Sequence, residues 1–247
     1  MIYLKSPTEI GIIKKNGAIL KLCFEAAAEM AQPGVKTEDI DRTIEKIILQ
    51  HKGKPSFKGF HGYPAATCIS VNDEVVHGIP GGRVIEEGDI CGVDVGVFKD
   101  GYHADAARTF PVGKISREAR QLLDVTSEAL DGAIAKARIG NRLSDISHAI
   151  ESYVVRQGFS VVKSLVGHGI GQRMHEEPQV PNFGPPGQGP EMQAGLVIAI
   201  EPMVNIGRSD VFTLQDGWTV VTADHALSAH FEDTVALTKN GPEILTR

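Results

Sequence analysis

The stretch GDICGVDVGVFKDGYHADAARTF, residues 88–110, predicts two β-strands joined by a tight turn at Asp100-Gly101. A two-residue loop at this turn fixes which residues of the two strands pair. Asp94 then lies opposite Ala107, and Asp105 is its diagonal neighbour on the same face, with Cα atoms about 7–8 Å apart. Carboxylates are depleted in strands, so two of them on one face call for an explanation.

The face that carries the two aspartates has few other side chains. Gly92 and Gly96 share it with Asp94, so we expect an open space above the carboxylates. Two unpaired carboxylates at this separation repel each other, and burial increases the penalty. A cation between them would remove both costs. The pair alone leaves two alternatives open, which are a metal site and a solvated face of an edge hairpin.

Two glutamates occupy similar positions in the second half of the chain. Glu201 lies in the apolar run GLVIAIEPMV, residues 195–204, which predicts a continuous strand ending in Glu201. Glu232 lies in a further strand-like segment, LSAHFEDTVALT, at residues 227–238. A glutamate is rarely buried unless it is paired, so both positions favour a shared polar or metal site.

Three histidines lie in loop-like, glycine-containing segments: His77, His168 and His175. A single loop histidine is usually an ordinary surface residue. The chain has neither an HExxH motif nor a CxxC pair, which excludes zincin and zinc-finger sites. The segment GHGIGQ, residues 167–172, lacks the spacing of a dinucleotide-binding fingerprint, so phosphate binding is not indicated.

Helix signals precede each strand-rich region. Ser6, Pro7 and Glu9 form a capping pattern that predicts the start of a first helix. Thr37 is predicted to cap a second helix, and Ser116 a third that runs to about residue 138. Another helix with buried isoleucines follows, so the order helix, helix, strands occurs twice.

The two halves also align residue by residue, at an offset of 106 that becomes 107 in the strands. The matching pairs are Gly34 with Gly140, Ile40 with Ile146, Ile44 with Ile150, Glu45 with Glu151, Gly88 with Gly195, and Asp94 with Glu201. We therefore predict an α+β fold in which two helix–helix–sheet units surround a central antiparallel sheet about a pseudo-twofold axis. One domain over residues 1–247 would consist of similar halves, about 1–112 and 113–247, with carboxylates from both at a shared site.

Composition limits the possible partners. The chain has 247 residues, 42% of them hydrophobic, and a formal net charge of −6, which argues against a nucleic-acid binder. Three cysteines do not suggest a disulfide framework. The first twenty residues lack a signal-peptide pattern, and no apolar run is long enough for a membrane span. We expect a soluble, cytoplasmic, monomeric protein.

The ordered set of carboxylates and histidines resembles type I methionine aminopeptidases, which have the pita-bread metallopeptidase fold, in their short bacterial form. The stretches that carry the resemblance are HGYPAATCISVNDEVVHGIP, VDVGVFKDGYHADAARTF, GHGIG, HEEPQVPNFG, IAIEPM and DGWTVVTADHALSAHFEDT. The resemblance implies two divalent metal ions (Co, Mn, Fe(II) or Zn) held by five ligands. Asp94 would chelate one ion, Asp105 and Glu232 would bridge both, and His168 and Glu201 would complete the other.

The resemblance also implies roles for residues outside the ligand set. His77 and His175 would contact the substrate. The methionine pocket would be lined by Phe60, Tyr63, Cys68 and Trp218. The chain departs from the usual family pattern at Met174, where an aromatic residue is common, and also at Val76 and Phe57. A monovalent cation is implied near Asn72 and Ser228.

The implied reaction is removal of the N-terminal methionine from nascent proteins with a small second residue, by a hydroxide that bridges the two metal ions. Glu201 would act in catalysis together with His77 and His175, and the ribosome is a possible partner. Two alternatives remain. One is an Xaa-Pro peptidase, which usually carries an additional N-terminal domain for which this length leaves no room. The other is a non-catalytic binding protein on the same fold, but such relatives lose metal ligands.

Overall fold

A computed structural model describes all residues, 1–247, and contains four α-helices. α1 begins with the predicted capping box, in which the Ser6 hydroxyl accepts from the Glu9 N–H and the Glu9 carboxylate accepts from the Ser6 N–H. The helices pack in pairs, α1 with α2 and α3 with α4. Their bounds are Pro7–Met30 (α1), Thr37–Gln50 (α2), Arg117–Ile134 (α3) and Leu143–Arg156 (α4).

Two helix predictions need correction. The N-cap of α2 is Lys36, and the Thr37 hydroxyl instead donates to the Gly81 carbonyl and accepts from the Gly81 N–H. Helix α3 ends four residues earlier than predicted, because the N–H groups of Lys136 and Ala137 bond to carbonyls three residues back. A tightened turn therefore replaces the last turn of the α-helix.

Fifteen strands follow the helices in two groups, one in each half of the chain, and they pair in antiparallel fashion. Their bounds are Lys54–Pro55 (β1), Thr67–Val71 (β2), Glu74–Val76 (β3), Ile90–Lys99 (β4), Tyr102–Pro111 (β5), Ser160–Val161 (β6), Gly167–Gly169 (β7), Glu176–Val180 (β8), Val197–Ile200 (β9), Met203–Asn205 (β10), Val211–Thr213 (β11), Val220–Thr222 (β12), Ser228–His230 (β13), Glu232–Thr238 (β14) and Gly241–Ile244 (β15). Nine of these strands form the central sheet in the order β1-β4-β5-β14-β9-β7-β8, with β2 on β4 and β15 on β14.

The hairpin of β4 and β5 has the predicted register. Asp94 pairs with Ala107 and Gly96 with Asp105, so the two aspartates are diagonal neighbours on one face. Asp100 and Gly101 both have positive φ, at 53° and 85°, as a type I′ loop requires. The turn chemistry therefore determines which face of the sheet receives both carboxylates.

The predicted duplication is supported by matching backbone contacts in the two halves. The N–H of Gly34 donates to the Ile85 carbonyl, and at the equivalent place the N–H of Gly140 donates to the Met192 carbonyl. Both glycines have φ close to 90°. Isolated bridges between Lys36 and Val84 and between Arg142 and Glu191 also match at the same offsets. The two helix–helix–sheet units thus share local geometry as well as sequence pattern.

Each helix pair covers one part of the central sheet. Ile40 and Ile44 of α2 are fully buried in one core cluster with β4, and Ile146 and Ile150 of α4 are fully buried in another. The carboxylates of interest point away from these cores. No helix is both long and apolar enough to cross a membrane.

Candidate metal centre and substrate pocket

The five predicted ligands come from five different places in the central sheet. Asp94 lies on β4, Asp105 on β5, His168 on β7 and Glu232 at the start of β14. Ala107 pairs with both Asp94 and Glu232, and His168 pairs with Ala199 on β9, two residues before Glu201. Adjacent strands therefore bring the carboxylates of both halves together with the histidine.

Glu201 lies in the interruption between strands β9 and β10. β9 ends at Ile200 and β10 begins at Met203, because Pro202 has no N–H for a sheet hydrogen bond. The strand predicted to end in Glu201 therefore ends one residue earlier, at Ile200. The interruption places the Glu201 carboxylate beside His168, with 3.5 Å between Glu201 Oε1 and His168 Nε2.

Buried carboxylate oxygens at this centre lack hydrogen-bond partners. Oδ1 of Asp94, Oδ1 of Asp105 and Oε1 of Glu232 are all inaccessible to solvent and unpaired. One ligand atom each from Asp105, His168 and Glu232 lies within 4.8 Å of the other two. Unpaired buried acceptors of this kind are rare in folded proteins. Divalent cations would satisfy them, so these residues fit the metal ions that the sequence implies.

The pKa values of these carboxyls also favour a bound cation. Burial raises the pKa of Asp94 from 3.8 to about 7. Burial, followed by repulsion from neighbouring carboxylates, raises the pKa values of Asp105, Glu201 and Glu232 well above their ordinary range. The negative charge gathered here is a cost that a bound cation would offset.

The tautomer of His168 can be assigned from its hydrogen bond. Nδ1 lies 2.9 Å from the Gly169 carbonyl, which can only accept, so Nδ1 carries the proton. Nε2 then presents a lone pair toward Glu201 Oε1. Burial lowers the pKa of His168 to about 3, so the ring is neutral. A divalent cation between the Glu201 carboxylate and this lone pair would satisfy both, and neutral imidazole nitrogen is a good ligand for it.

The space around the aspartates is not as open as their glycine neighbours predict. A Cβ atom added to Gly96 would lie 2.7 Å from Cβ of Ser56 and 2.9 Å from a ring carbon of Phe57. Gly96 thus makes room for the segment that precedes the pocket. The open space lies instead in a cavity of about 910 Å³ onto which Asp94 and Asp105 face.

The predicted pocket residues pack together at one end of this cavity. Tyr63 and Trp218 meet edge to face, with ring centroids 5.1 Å apart. The Tyr63 hydroxyl lies within hydrogen-bond distance of the backbone carbonyls of Thr67 and Gly78 and can donate its one proton to either, so backbone acceptors satisfy the polar end of this side chain. One small apolar cluster contains Phe57, Phe60, Tyr63, Ala65, Cys68, Ile79, Met174 and Trp218. Cys68 also pairs with Asp94, which joins the apolar pocket to the carboxylates.

His77 and His175 both line the same cavity. The His175 ring lies 4.4 Å from the His168 ring and 5.3 Å from Phe60, measured between centroids. His77 adopts a positive φ of 60° before Gly78, a conformation that non-glycine residues seldom adopt. Burial lowers the pKa values of both histidines, so neutral imidazoles face the cavity.

Asn72 and Ser228 are also neighbours. The Ser228 N–H donates to the Asn72 carbonyl at 2.9 Å. Both polar atoms of the Asn72 side chain already have a partner, since Nδ2 donates to Asp89 and Oδ1 accepts from the Ile90 N–H. Any monovalent cation here would therefore depend on backbone carbonyls and the Ser228 hydroxyl.

Two features near the centre did not emerge from the sequence interpretation. His230 is buried, and its Nε2 lies 3.9 Å from Glu201 Oε2. Asp233 is fully buried and pairs with the guanidinium groups of Arg108 and Arg247. His230 ends β13 and Glu232 begins β14, so the segment at 227–238 that resembled a single strand is divided at Phe231, and no alternation along one strand relates the two residues.

The chain is similar to known metallopeptidases over almost its whole length. Residues 11–239 match the model of metallopeptidase family M24. A methionine aminopeptidase of Clostridium perfringens is 54% identical over 246 residues, covering 100% of this chain and 99% of that protein. The crystal structure of methionine aminopeptidase from Thermotoga maritima is 44% identical, with a TM-score of 0.99 over the whole of both chains. A prolidase from Pyrococcus horikoshii is 25% identical, with a TM-score of 0.80, and the match covers 99% of this chain and 63% of that one.

Proposed function

Because the chain belongs to metallopeptidase family M24, and within it to the methionine aminopeptidases, we propose that it removes N-terminal methionine from nascent polypeptides by metal-dependent hydrolysis. The observation that carries this proposal is the junction of two features in one cavity. Carboxylates of Asp94 and Asp105 with unpaired buried oxygens lie in the same cavity as an apolar pocket that includes Tyr63, Cys68 and Trp218. We place the protein in the cytoplasm, as a monomer that acts near the ribosome.

Five residues would hold two divalent ions, drawn from Co, Mn, Fe(II) or Zn. Four carboxylates and one imidazole form an oxygen-rich donor set that suits these metals. Asp94 would bind one ion, His168 and Glu201 the other, and Asp105 and Glu232 both. When bound, the two ions would lower the pKa of a water molecule that serves as the nucleophile and would polarise the scissile carbonyl.

The chain's own side chains supply the proton transfer. The Glu201 carboxylate takes the proton from the attacking water and passes it to the leaving amine, a general base that becomes a general acid. The products are free methionine and a polypeptide shortened by one residue.

The two cavity histidines orient the peptide. His175 and His77 are neutral, so each can donate one hydrogen bond to a carbonyl oxygen of the bound peptide while charge develops on it. The His175 ring is fixed against His168 and Phe60, which places it between the metal ligands and the apolar pocket.

Substrate choice follows from the apolar pocket. Phe60, Tyr63, Cys68, Met174 and Trp218 form a surface that accepts an unbranched thioether better than a branched side chain. We also expect a small second residue in the substrate, as the resemblance to the family implies. We expect Met174 to shape the pocket differently from the aromatic residue that is common there.

A peptide panel tests this function. Met-Ala-Ser should release methionine, Met-Ile-Ser should be cut hardly at all, and peptides that begin with Gly-Pro should remain intact. The Glu201→Gln variant should lose activity, whereas Glu243→Gln, on strand β15, should keep it because Glu243 lies outside the cavity. Faster cleavage of the Gly-Pro peptides would favour the Xaa-Pro peptidase, and no cleavage at all would favour a binding protein.

A further inference from the structure

His230 is a buried histidine to which the proposed reaction gives no role. It ends strand β13, is 5% exposed and does not line the cavity. Its Nε2 is inaccessible to solvent and has no hydrogen-bond partner. A buried imidazole nitrogen without a hydrogen-bond partner is costly, so a partner is expected among the polar atoms that surround it.

The position of His230 is fixed by its backbone. The Thr109 hydroxyl donates to the His230 carbonyl at 2.8 Å, and the His230 N–H donates to the Thr109 hydroxyl oxygen at 3.0 Å. His230 also pairs with Met203, two residues after Glu201. The ring is therefore held on a rigid strand beside the break that carries Glu201.

The Glu201 carboxylate lies between two imidazoles. Its Oε1 is 3.5 Å from His168 Nε2, and its Oε2 is 3.9 Å from His230 Nε2. His168 presents a lone pair, because its Nδ1 is bound to the Gly169 carbonyl. Oε1 and His168 Nε2 thus face each other as two metal ligands, and only Oε2 remains to be held by the protein.

We propose that His230 is a positioning residue that donates a hydrogen bond from Nε2 to Oε2 of Glu201. A movement of about 1 Å would bring the two atoms within hydrogen-bond distance. The bond directs Oε1 toward His168 and the metal ion, and it fixes the orientation of the oxygen that exchanges the proton. This inference rests on the proposed roles of Glu201 and His168 as ligands.

Two variants separate hydrogen bonding from packing. His230→Leu keeps an apolar side chain of similar size but has no donor. His230→Gln keeps an N–H donor the same number of bonds from the backbone. Partners that orient a metal ligand typically contribute about 10- to 100-fold in metal affinity or activity. We expect His230→Leu to weaken metal binding and lower kcat by that factor with little change in KM, and His230→Gln to restore most of both.

Metal affinity is measured by calorimetric titration of Mn or Zn, and kcat and KM with Met-Ala-Ser. Parent-like metal affinity and kcat in His230→Leu would overturn the proposal. Equal losses of metal affinity and kcat in the two variants would also overturn it, because a retained N–H donor would then make no difference and the imidazole ring itself would be what matters. If the unsubstituted protein itself binds no metal, the proposed function fails, and this inference fails with it.

A measurement on the unsubstituted protein tests the donor directly and does not require the leucine variant to fold. Nitrogen-15 spectra of the zinc-loaded protein report which ring nitrogen of each histidine carries the proton. We expect the proton on Nε2 of His230 and on Nδ1 of His168, with the His230 signals identified by their loss in His230→Gln. A His230 ring protonated on Nδ1 and bare at Nε2 would overturn the proposal.

Discussion

Replacing Asp94 by asparagine should stabilise the metal-free protein, and the gain should grow with pH. In the folded chain the pKa of Asp94 is about 7, whereas in the unfolded chain it is near 3.8. The folded state therefore holds this proton more tightly than the unfolded chain does. Between these pH values, rising pH removes the proton from the unfolded chain first, so this group's contribution to stability falls and levels off above about pH 7.

The expected size follows from that difference. Between pH 5 and pH 7 the contribution of the Asp94 carboxyl to folding stability falls by about 1.4 kcal/mol per pH unit, or about 3 kcal/mol in total. This is a large share of the roughly 5–15 kcal/mol that keeps a domain folded. The asparagine side chain of the variant does not titrate, so the variant lacks this dependence of stability on pH. The advantage of Asp94→Asn over the parent should thus be about 3 kcal/mol greater at pH 8 than at pH 5.

The comparison between variant and parent is necessary because buried histidines act in the opposite direction. Burial lowers the pKa values of His168 and His230 to about 3, so those rings favour folding as pH rises through their unfolded value near 6.5. Both proteins share these histidines, so their effect largely cancels in the difference.

Urea unfolding in the presence of EDTA, at pH 5 and pH 8, measures the effect. Asp100→Asn, on the exposed turn of the same hairpin, is the matched control and should show no comparable dependence on pH. With metal added, the order should reverse, because Asp94→Asn lacks a ligand and gains less from metal binding. A difference between parent and Asp94→Asn that is the same at both pH values would refute the reasoning.

Three further outcomes are expected. His168→Ala should bind metal more weakly and recover part of its activity at high metal concentration. His175→Ala should bind metal almost normally in calorimetry, but its kcat should fall by about 10²-fold and should not recover when metal is added. Equal loss of metal in both variants would contradict the assigned roles. Asp233→Ala should lower the free energy of unfolding by about 3–5 kcal/mol in urea titrations, because it leaves the guanidinium groups of Arg108 and Arg247 without their buried partner. A loss below about 1 kcal/mol would refute this. Met174→Phe should change the ranking of Met-initiated peptides modestly while metal content stays constant, and an altered metal content would show that the residue acts on the centre itself.

The parts of the fold that follow from local chemistry could be predicted from the sequence. The Asp100-Gly101 turn set the register of β4 and β5, and through it the shared face of Asp94 and Asp105. The capping box at Ser6 fixed the start of α1. In both places the determining residues lie within a few positions of one another, so sequence neighbours decide the outcome.

The parts that depend on distant residues were harder to predict. Thr37 has the right chemistry for an N-cap, but the backbone of Gly81 binds its hydroxyl instead. Gly96 appeared to open a space that Phe57, from an earlier segment, in fact occupies. The contact between His168 and Glu201 depends on the order β14-β9-β7, which no local pattern encodes. Strand order and the filling of space are non-local, and they determined where sequence reasoning failed.

The central claim is that the five converging side chains serve to bind divalent metal for the release of methionine. The most direct test is the activity of exhaustively metal-stripped protein on Met-Ala-Ser under anaerobic conditions, titrated with Mn, Fe(II), Co or Zn, with bound metal counted per chain. We expect no methionine release without metal, and activity that rises with metal up to two ions per chain. Full activity in the stripped protein, or metal binding unchanged when Asp105 is replaced by alanine, would contradict the claim.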